Sequence, residues 1–172
     1  MKACTMTTRV PIAAAKITAI TAPPKVTGLR ITRPSCHRGR GTGQTGGVPD
    51  GDGRPRLLII DDGPDMVRLL ETVAAANWEV HSAGNLDDAV AAATAHPPDV
   101  AVVDFMLPGG GGFSVARHLK ELDAGVVVVM FSAAPVGHQA QDSPDVDDFV
   151  MKGDIRVIRR LLDDLAARFR TE

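Results

Sequence analysis

The sequence predicts a three-layer, doubly wound α/β fold, (βα)5, with five parallel strands in one sheet behind a disordered N-terminal tail. Three observations predict it. From Pro55 onward, short apolar runs alternate with stretches of helical periodicity. The connections between them are short, as consecutive βα units require. The central runs are continuously apolar rather than alternating, which is the mark of parallel strands covered on both faces.

The elements follow in order. Arg56–Ile60 reads as the first strand. Pro64–Ala76 reads as a helix, with Met66, Leu69, Leu70, Val73 and Ala74 at helical spacing and Pro64 suited to the first turn. Trp78–Ser82 alternates and reads as an edge strand. Leu86–Ala95 is an Ala-rich helix after the N-cap candidate Asn85, stopped by Pro97-Pro98. Asp99–Asp104 is a buried strand, Gly109–Gly112 a loop, and Phe113–Leu122 a helix with Phe113, Ala116, Leu119 and Leu122 inward. Val126–Phe131 is the most apolar strand. Ala133–Ser143 is a weak helix, because Pro135 and Gly137 sit inside it. Asp148–Met151 is the last strand. Asp154–Arg170 is amphipathic, with Ile155, Ile158, Leu161, Leu162 and Leu165 on one side.

Charge divides the chain. Residues 1–56 carry ten Lys/Arg against two Asp, a charge of +8, and residues 57–172 carry nine against nineteen Asp/Glu, a charge of −10. An acidic body argues against nucleic acid as its main partner, since phosphate backbones need positive surface. Residues 1–53 are rich in Thr, Pro, Gly and Arg and are expected to be a disordered basic tail. Three readings stand open for that tail: a flexible segment without function, a head upstream of a true translation start near Val48, and a functional basic arm. Its acid-free composition up to Pro49 also has the character of a transit peptide. The two cysteines, Cys4 and Cys36, both lie in it, which fits a reducing, cytoplasmic location and no disulfide framework. No apolar run approaches the roughly 20 residues of a membrane span, so no membrane partner is expected.

Chemistry-bearing residues cluster at strand ends. The first strand runs into Asp61-Asp62, the third into Asp104, the fourth into Ser132 and the fifth into Lys152. Strand C-termini of a parallel sheet share one edge, and ligands bind outside it. Three carboxylates, a hydroxyl and an ammonium would converge there. Crowded carboxylates repel, and a divalent cation such as Mg²⁺ relieves them with hard oxygen ligands. A carboxylate can also attack phosphorus and form an aspartyl phosphate. Each piece has a plainer reading: Asp61-Asp62 as a helix cap, Asp104 as a loop former, Ser132 as structural, Lys152 as a surface charge. The acid pairs Asp87-Asp88 and Asp163-Asp164 read as solvated faces. His81, His96, His118 and His138 show no ligand spacing and are assigned surface or packing roles.

Taken together, Leu-Leu-Ile-Ile-Asp61-Asp62, Val-Val-Asp104-Phe-Met-Leu-Pro108-Gly, Met-Phe-Ser132-Ala133 and Phe149-Val-Met-Lys152-Gly153 resemble the receiver domain of two-component response regulators, a flavodoxin-like fold. The likeness covers about Pro55 to Phe169 and assigns residues 54–172 to one receiver domain. It implies that Asp104 is the phosphoacceptor and that Asp61, Asp62, Asp104 and the Met106 backbone carbonyl hold Mg²⁺. It implies further that Ser132 binds a phosphoryl oxygen, that Lys152 contacts phosphate and Asp104, and that Phe149 is the switch aromatic. The implied partners are a histidine kinase or histidine phosphotransfer protein and a downstream protein. A stand-alone signalling receiver, not an enzyme beyond its own phosphotransfer and dephosphorylation, is the expectation. Two departures bear on output: Gly153 stands where the family commonly has Pro, and Pro135 and Gly137 weaken the fourth helix.

Two other classes compete. A receiver-like interaction module would bind partners without phosphorylation. A phosphatase with an aspartyl nucleophile commonly has a second acid two residues on, where this chain has Met106. A P-loop or dinucleotide fingerprint is lacking. The phosphoacceptor reading requires positions 62, 104 and 152 to meet, with Asp104 still reachable from solvent.

Overall fold

The computed structural model describes residues 53–108, 111–135 and 137–171. The elements are β1 (Arg56–Ile60), α1 (Pro64–Ala74), β2 (Glu79–Ala83), α2 (Leu86–Ala95), β3 (Val100–Val103), α3 (Gly111–Leu122), β4 (Val127–Ser132), α4 (Gly137–Asp142), β5 (Asp148–Met151) and α5 (Ile155–Thr171). All strand pairs are parallel, and the order is β2-β1-β3-β4-β5. The expected (βα)5 sheet is therefore formed, with β2 at an edge. The tail reading falls almost wholly on residues 1–52, and Gly109-Gly110 of the expected glycine loop also lie outside the described residues.

Strand pleating explains the two cores. Successive side chains point to opposite faces. Leu57, Ile59, Val100, Val102, Val127 and Val129 face α1 and α5, where they meet Leu70, Ile158, Leu161, Leu162 and Leu165. Leu58, Ile60, Ala101, Val103, Val128 and Met130 face α2, α3 and α4, where they meet Ala89, Ala93, Val115, Leu119 and Ala140. Each fully buried Val, Leu or Ile contributes about 1.5–3 kcal/mol of hydrophobic stabilisation, so the uninterrupted apolar runs are what a two-sided sheet demands.

Local chemistry sets the helix starts. Pro64 opens α1 behind Gly63. Asn85 caps α2, its side chain accepting from the Asp88 backbone N–H at 2.9 Å. Among the described residues no helix is long and apolar enough to cross a membrane.

Five local expectations are corrected. Helix α1 ends at Ala74 rather than Ala76, and Trp78 precedes β2 instead of starting it. The Trp78 backbone N–H donates to the Ala74 carbonyl, and its ring packs edge-on against Phe169 with centroids 6.4 Å apart. Gly111 and Gly112 open α3 and are not part of a loop; their N–H groups donate back to Leu107 and Phe105, and Gly112 fits against the Asp104 backbone because it has no Cβ. Val115 rather than Leu122 faces the core, and Leu122 is 50 % exposed. The fourth helix spans only Gly137–Asp142, so Pro135 lies ahead of it and Gly137 opens it.

Candidate functional site

The strand ladders carry three acidic or basic residues just past their strand ends. The Asp61 N–H donates to the Ala83 carbonyl at 3.1 Å, the Asp104 N–H to Ile60 at 2.8 Å, and the Lys152 N–H to Ser132 at 2.8 Å. Each residue is held one step beyond its strand by its neighbour's last free carbonyl. Their side chains therefore emerge along the same sheet edge.

They meet there. One carboxylate oxygen from each of Asp61, Asp62 and Asp104 lies within 4.8 Å of the other two. Lys152 Nζ donates to Asp61 Oδ2 at 2.6 Å and stands 3.0 Å from Asp104 Oδ2. It also sits 5.7 Å from the Phe131 ring centroid, within range of a cation–π attraction. Burial disfavours the Lys152 ammonium. Hydrogen bonds to Asp61 and Asp104, together with their negative charges, outweigh that and hold its pKa above the usual 10.5.

Three carboxylates against one ammonium leave two negative charges in a largely buried site. The three differ in role. Asp61 is doubly engaged, because its Oδ1 accepts from the Gly63 N–H at 2.9 Å while Oδ2 takes Lys152. Asp62 is exposed, and Asp104 keeps 7 % of its surface open, so it is recessed without being sealed. The convergence demanded of positions 62, 104 and 152 is met.

The remaining predicted residues stand around this centre. Ser132 is fully buried at the end of β4, beside Met151 in the β5 register. Its Oγ accepts from the Ala134 N–H at 3.1 Å, so its hydroxyl hydrogen remains available to a second acceptor. Met106 lies two residues past Asp104 with its side chain 66 % exposed. Phe149 is set back from the charged cluster. It pairs with Met130, is half-buried, and packs towards the face that carries α2, α3 and α4.

Three features escaped the sequence. Gly112 lies so close under the Asp104 carbonyl that a Cβ there would overlap it, and would also meet Met130 Sδ and Phe105 Cα at 2.9 Å each. Beside Asp104 opens a cleft of about 620 Å³ lined by Phe105, Met106, Leu107, Pro108, Gly111 and Phe113. At the opposite sheet edge His81 and His96, read as separate surface or packing residues, come together with Glu79. The first has a signal in the Gly-rich run at 109–112. The other two depend on contacts made only by folding.

Comparison with known proteins fits this geometry. The family model for the response regulator receiver domain matches residues 57–162, more than half of the chain. The DNA-binding response regulator MtrA of Mycolicibacterium smegmatis is 33 % identical over 108 residues, which are 58 % of this chain and 44 % of MtrA. The probable transcriptional regulatory protein TcrX of Mycobacterium tuberculosis is 33 % identical over 84 residues, 48 % of this chain and 36 % of TcrX. The chain thus spans less than half the length of these curated relatives. A CheY-like receiver domain protein from Methanospirillum hungatei superposes with a TM-score of 0.62 at 18 % identity, covering 69 % of this chain and 98 % of that one. Such a likeness speaks to the fold, and the matched family model carries the assignment: this chain belongs to the response regulator receiver domain family.

Proposed function

We propose that this chain is a phosphoacceptor receiver. A histidine kinase or histidine phosphotransfer protein presents a phosphohistidine. An Asp104 carboxylate oxygen attacks the phosphorus, the P–N bond to the donor breaks, and an O–P bond to Asp104 forms. Water later cleaves that acyl phosphate and releases inorganic phosphate, which resets the protein. The chain is in this reading a signalling component of the cytoplasm and performs no chemistry beyond its own phosphorylation and dephosphorylation.

The observation that carries the proposal is the pairing of Lys152 with both Asp61 and Asp104 in a cluster left with two negative charges. That residual charge and the hard oxygen donors fit a divalent cation of the Mg²⁺ type, held by Asp61, Asp62, Asp104 and the Met106 carbonyl. When bound, Mg²⁺ supplies positive charge next to the phosphoryl oxygens. Lys152 neutralises a further oxygen of the transferred group, and the Ser132 hydroxyl donates to another. Drawing Ser132 towards phosphate pulls on the hydrogen bond its Oγ accepts from the Ala134 N–H and so shifts the β4–α4 connection. The half-buried Phe149 ring then repacks, which alters the surface offered to a downstream protein.

The test is mass measurement after incubation with Mg²⁺ and a small phosphodonor such as acetyl phosphate. The wild-type chain gains one phosphoryl group, and chelation of Mg²⁺ prevents it. Equal phosphate uptake by Asp104→Asn would overturn the assignment.

A second reading, a receiver-like module that binds its partner without phosphorylation, draws support from the six-residue α4 and from Gly153. Gly153 has φ of 158°, a conformation closed to the Pro common at that place. A partner bound equally by wild type and Asp104→Asn, with no measurable Mg²⁺ affinity, would favour that reading.

A further inference from the structure

The N-terminal edge of the sheet, remote from Asp104, carries a second group of ligand-type side chains. Glu79 and His81 are two residues apart on β2 and so share a face; they pair with Arg56 and Leu58 of β1. Helix α2 runs back against the strand direction and delivers its C-cap, His96, to the same place. One ligand atom from each of Glu79, His81 and His96 lies within 4.8 Å of the other two.

We propose that Glu79, His81 and His96 form a Zn²⁺ site that ties the start of edge strand β2 to the end of α2. Zinc takes imidazole nitrogens and carboxylate oxygens at about 2.0–2.2 Å, so two ligands on one tetrahedral ion stand roughly 3.3–3.6 Å apart. Glu79 Oε1 and His81 Nε2 are already 3.3 Å apart. Without metal that contact is a hydrogen bond, and zinc would take the Nε2 lone pair of the tautomer that carries its hydrogen on Nδ1. Two imidazoles in a three-ligand set select zinc over Mg²⁺, which prefers oxygen alone. Water completes the coordination, since His96 is exposed and Glu79 and His81 are half-buried.

One rearrangement is required. The His81 and His96 rings stack with centroids 4.3 Å apart and planes inclined by 10°. A metal lies in the plane of each imidazole that binds it, so the rings must open. His96, exposed at a helix end, is the ring with room to turn. Beside the group, Arg56 Nη1 donates to the Pro97 carbonyl at 3.2 Å, and the Asp99 carboxylate accepts from the Arg56 backbone N–H at 2.8 Å.

The experiment uses the full chain carrying Cys4→Ser and Cys36→Ser, which removes thiolates that would compete for zinc. The metal-free protein is titrated with Zn²⁺ against a chromophoric chelator, and thermal melts and circular dichroism are recorded in parallel. One Zn²⁺ per chain is expected, with a raised melting temperature. Affinity falls about tenfold or more in His96→Gln and in His81→Gln, since even outer partners of metal ligands are worth that much, while circular dichroism stays that of the parent. Asp104→Asn binds zinc as the parent does. Zinc bound equally well by His96→Gln, or lost in Asp104→Asn instead, would overturn the proposal, as would absence of binding in the parent. None of these outcomes depends on phosphorylation, so the proposal for Asp104 stands or falls separately.

Discussion

The two flanks of the acidic site are built to different tolerances. On one flank, β1, β3 and α3 hold Asp61 and Asp104 with backbone ladders, and Gly112 is pressed against the Asp104 carbonyl. On the other, the β4–β5 ladder holds a buried Ser132, while the six-residue α4 lies beside a Phe149 that is only half-buried. Ser132 is tied to its own turn through Ala134, and the Phe149 ring lies 3.4 Å from the place a Cβ on Gly137 would take. The contrast separates two demands on a receiver. A reacting carboxylate needs a fixed position, because small misplacements cost large factors in rate. A segment that reports its state needs two packings of similar free energy. Lys152 joins the flanks, because it leaves β5 and binds both carboxylates.

Removing that join should have the largest effect. Lys152→Met leaves Asp61 and Asp104 without their cation in a mostly buried site, and breaking a buried ion pair from one side costs on the order of 3–5 kcal/mol. Urea denaturation in EDTA should show a loss of that order. Millimolar Mg²⁺ should recover much of it, since a ligand bound by the folded state alone stabilises by mass action. A full loss that Mg²⁺ leaves untouched would count against the proposal that the carboxylates paired with Lys152 hold a metal ion. The pH dependence has a definite sign. The folded-state pKa of Lys152 is raised, so its contribution is complete below the ordinary 10.5 and fades as pH climbs through the raised value. Wild type should therefore lose more stability than Lys152→Met on the alkaline side. The chain contains no Tyr, so phenol titration does not confuse that comparison.

Next in size comes the rigid flank itself. Gly112→Ala puts a methyl group into the Asp104 carbonyl, Met130 Sδ and Phe105 Cα, two of which are backbone atoms that cannot yield locally. Overpacking of this kind costs about 1–3 kcal/mol. The displaced atoms belong to Asp104, the proposed phosphoacceptor, and its neighbour, so on that proposal the rate of phosphate uptake should fall along with the denaturation midpoint. Unchanged uptake in a destabilised variant would show that Asp104 is less tightly placed than its packing implies.

What the sequence disclosed follows physical lines. Continuous apolar runs are legible because two-sided burial requires them, and the bounds of β1, α2 and β5 match expectation. Asp61, Asp62, Asp104 and Lys152 were legible because parallel strands bring their ends to one edge whatever the loops do. Trp78 was misplaced because alternation cannot tell a strand residue from a buried one just ahead of it; its ring belongs under α5 with Phe169. By sequence Gly111 and Gly112 suit a loop, because glycine disfavours helix, yet close approach to Asp104 excludes any larger residue at 112. The Glu79–His81–His96 group was invisible because a whole helix intervenes between its members, so no local spacing announces it.

The looser flank supplies the smallest effect and the sharpest check on the contrast. Gly137→Ala adds a methyl at 3.4 Å from Phe149 Cδ1 and Cε1, the near limit of ordinary contact. Gly137 opens α4, and φ is positive at Gly53, Gly111 and Gly153 but not there, so alanine adopts its backbone without strain. Replacing glycine at such a place restricts the unfolded chain and stabilises by about 0.4–1 kcal/mol. The new contact offsets part of that, and the net change should lie within about 0.5 kcal/mol of zero. Urea midpoints for Gly137→Ala and Gly112→Ala, measured side by side, decide the matter. A loss at 137 as large as the loss at 112 would mean that Phe149 is packed as rigidly as Asp104, and the half-buried ring would then have no low-cost second arrangement to offer a partner.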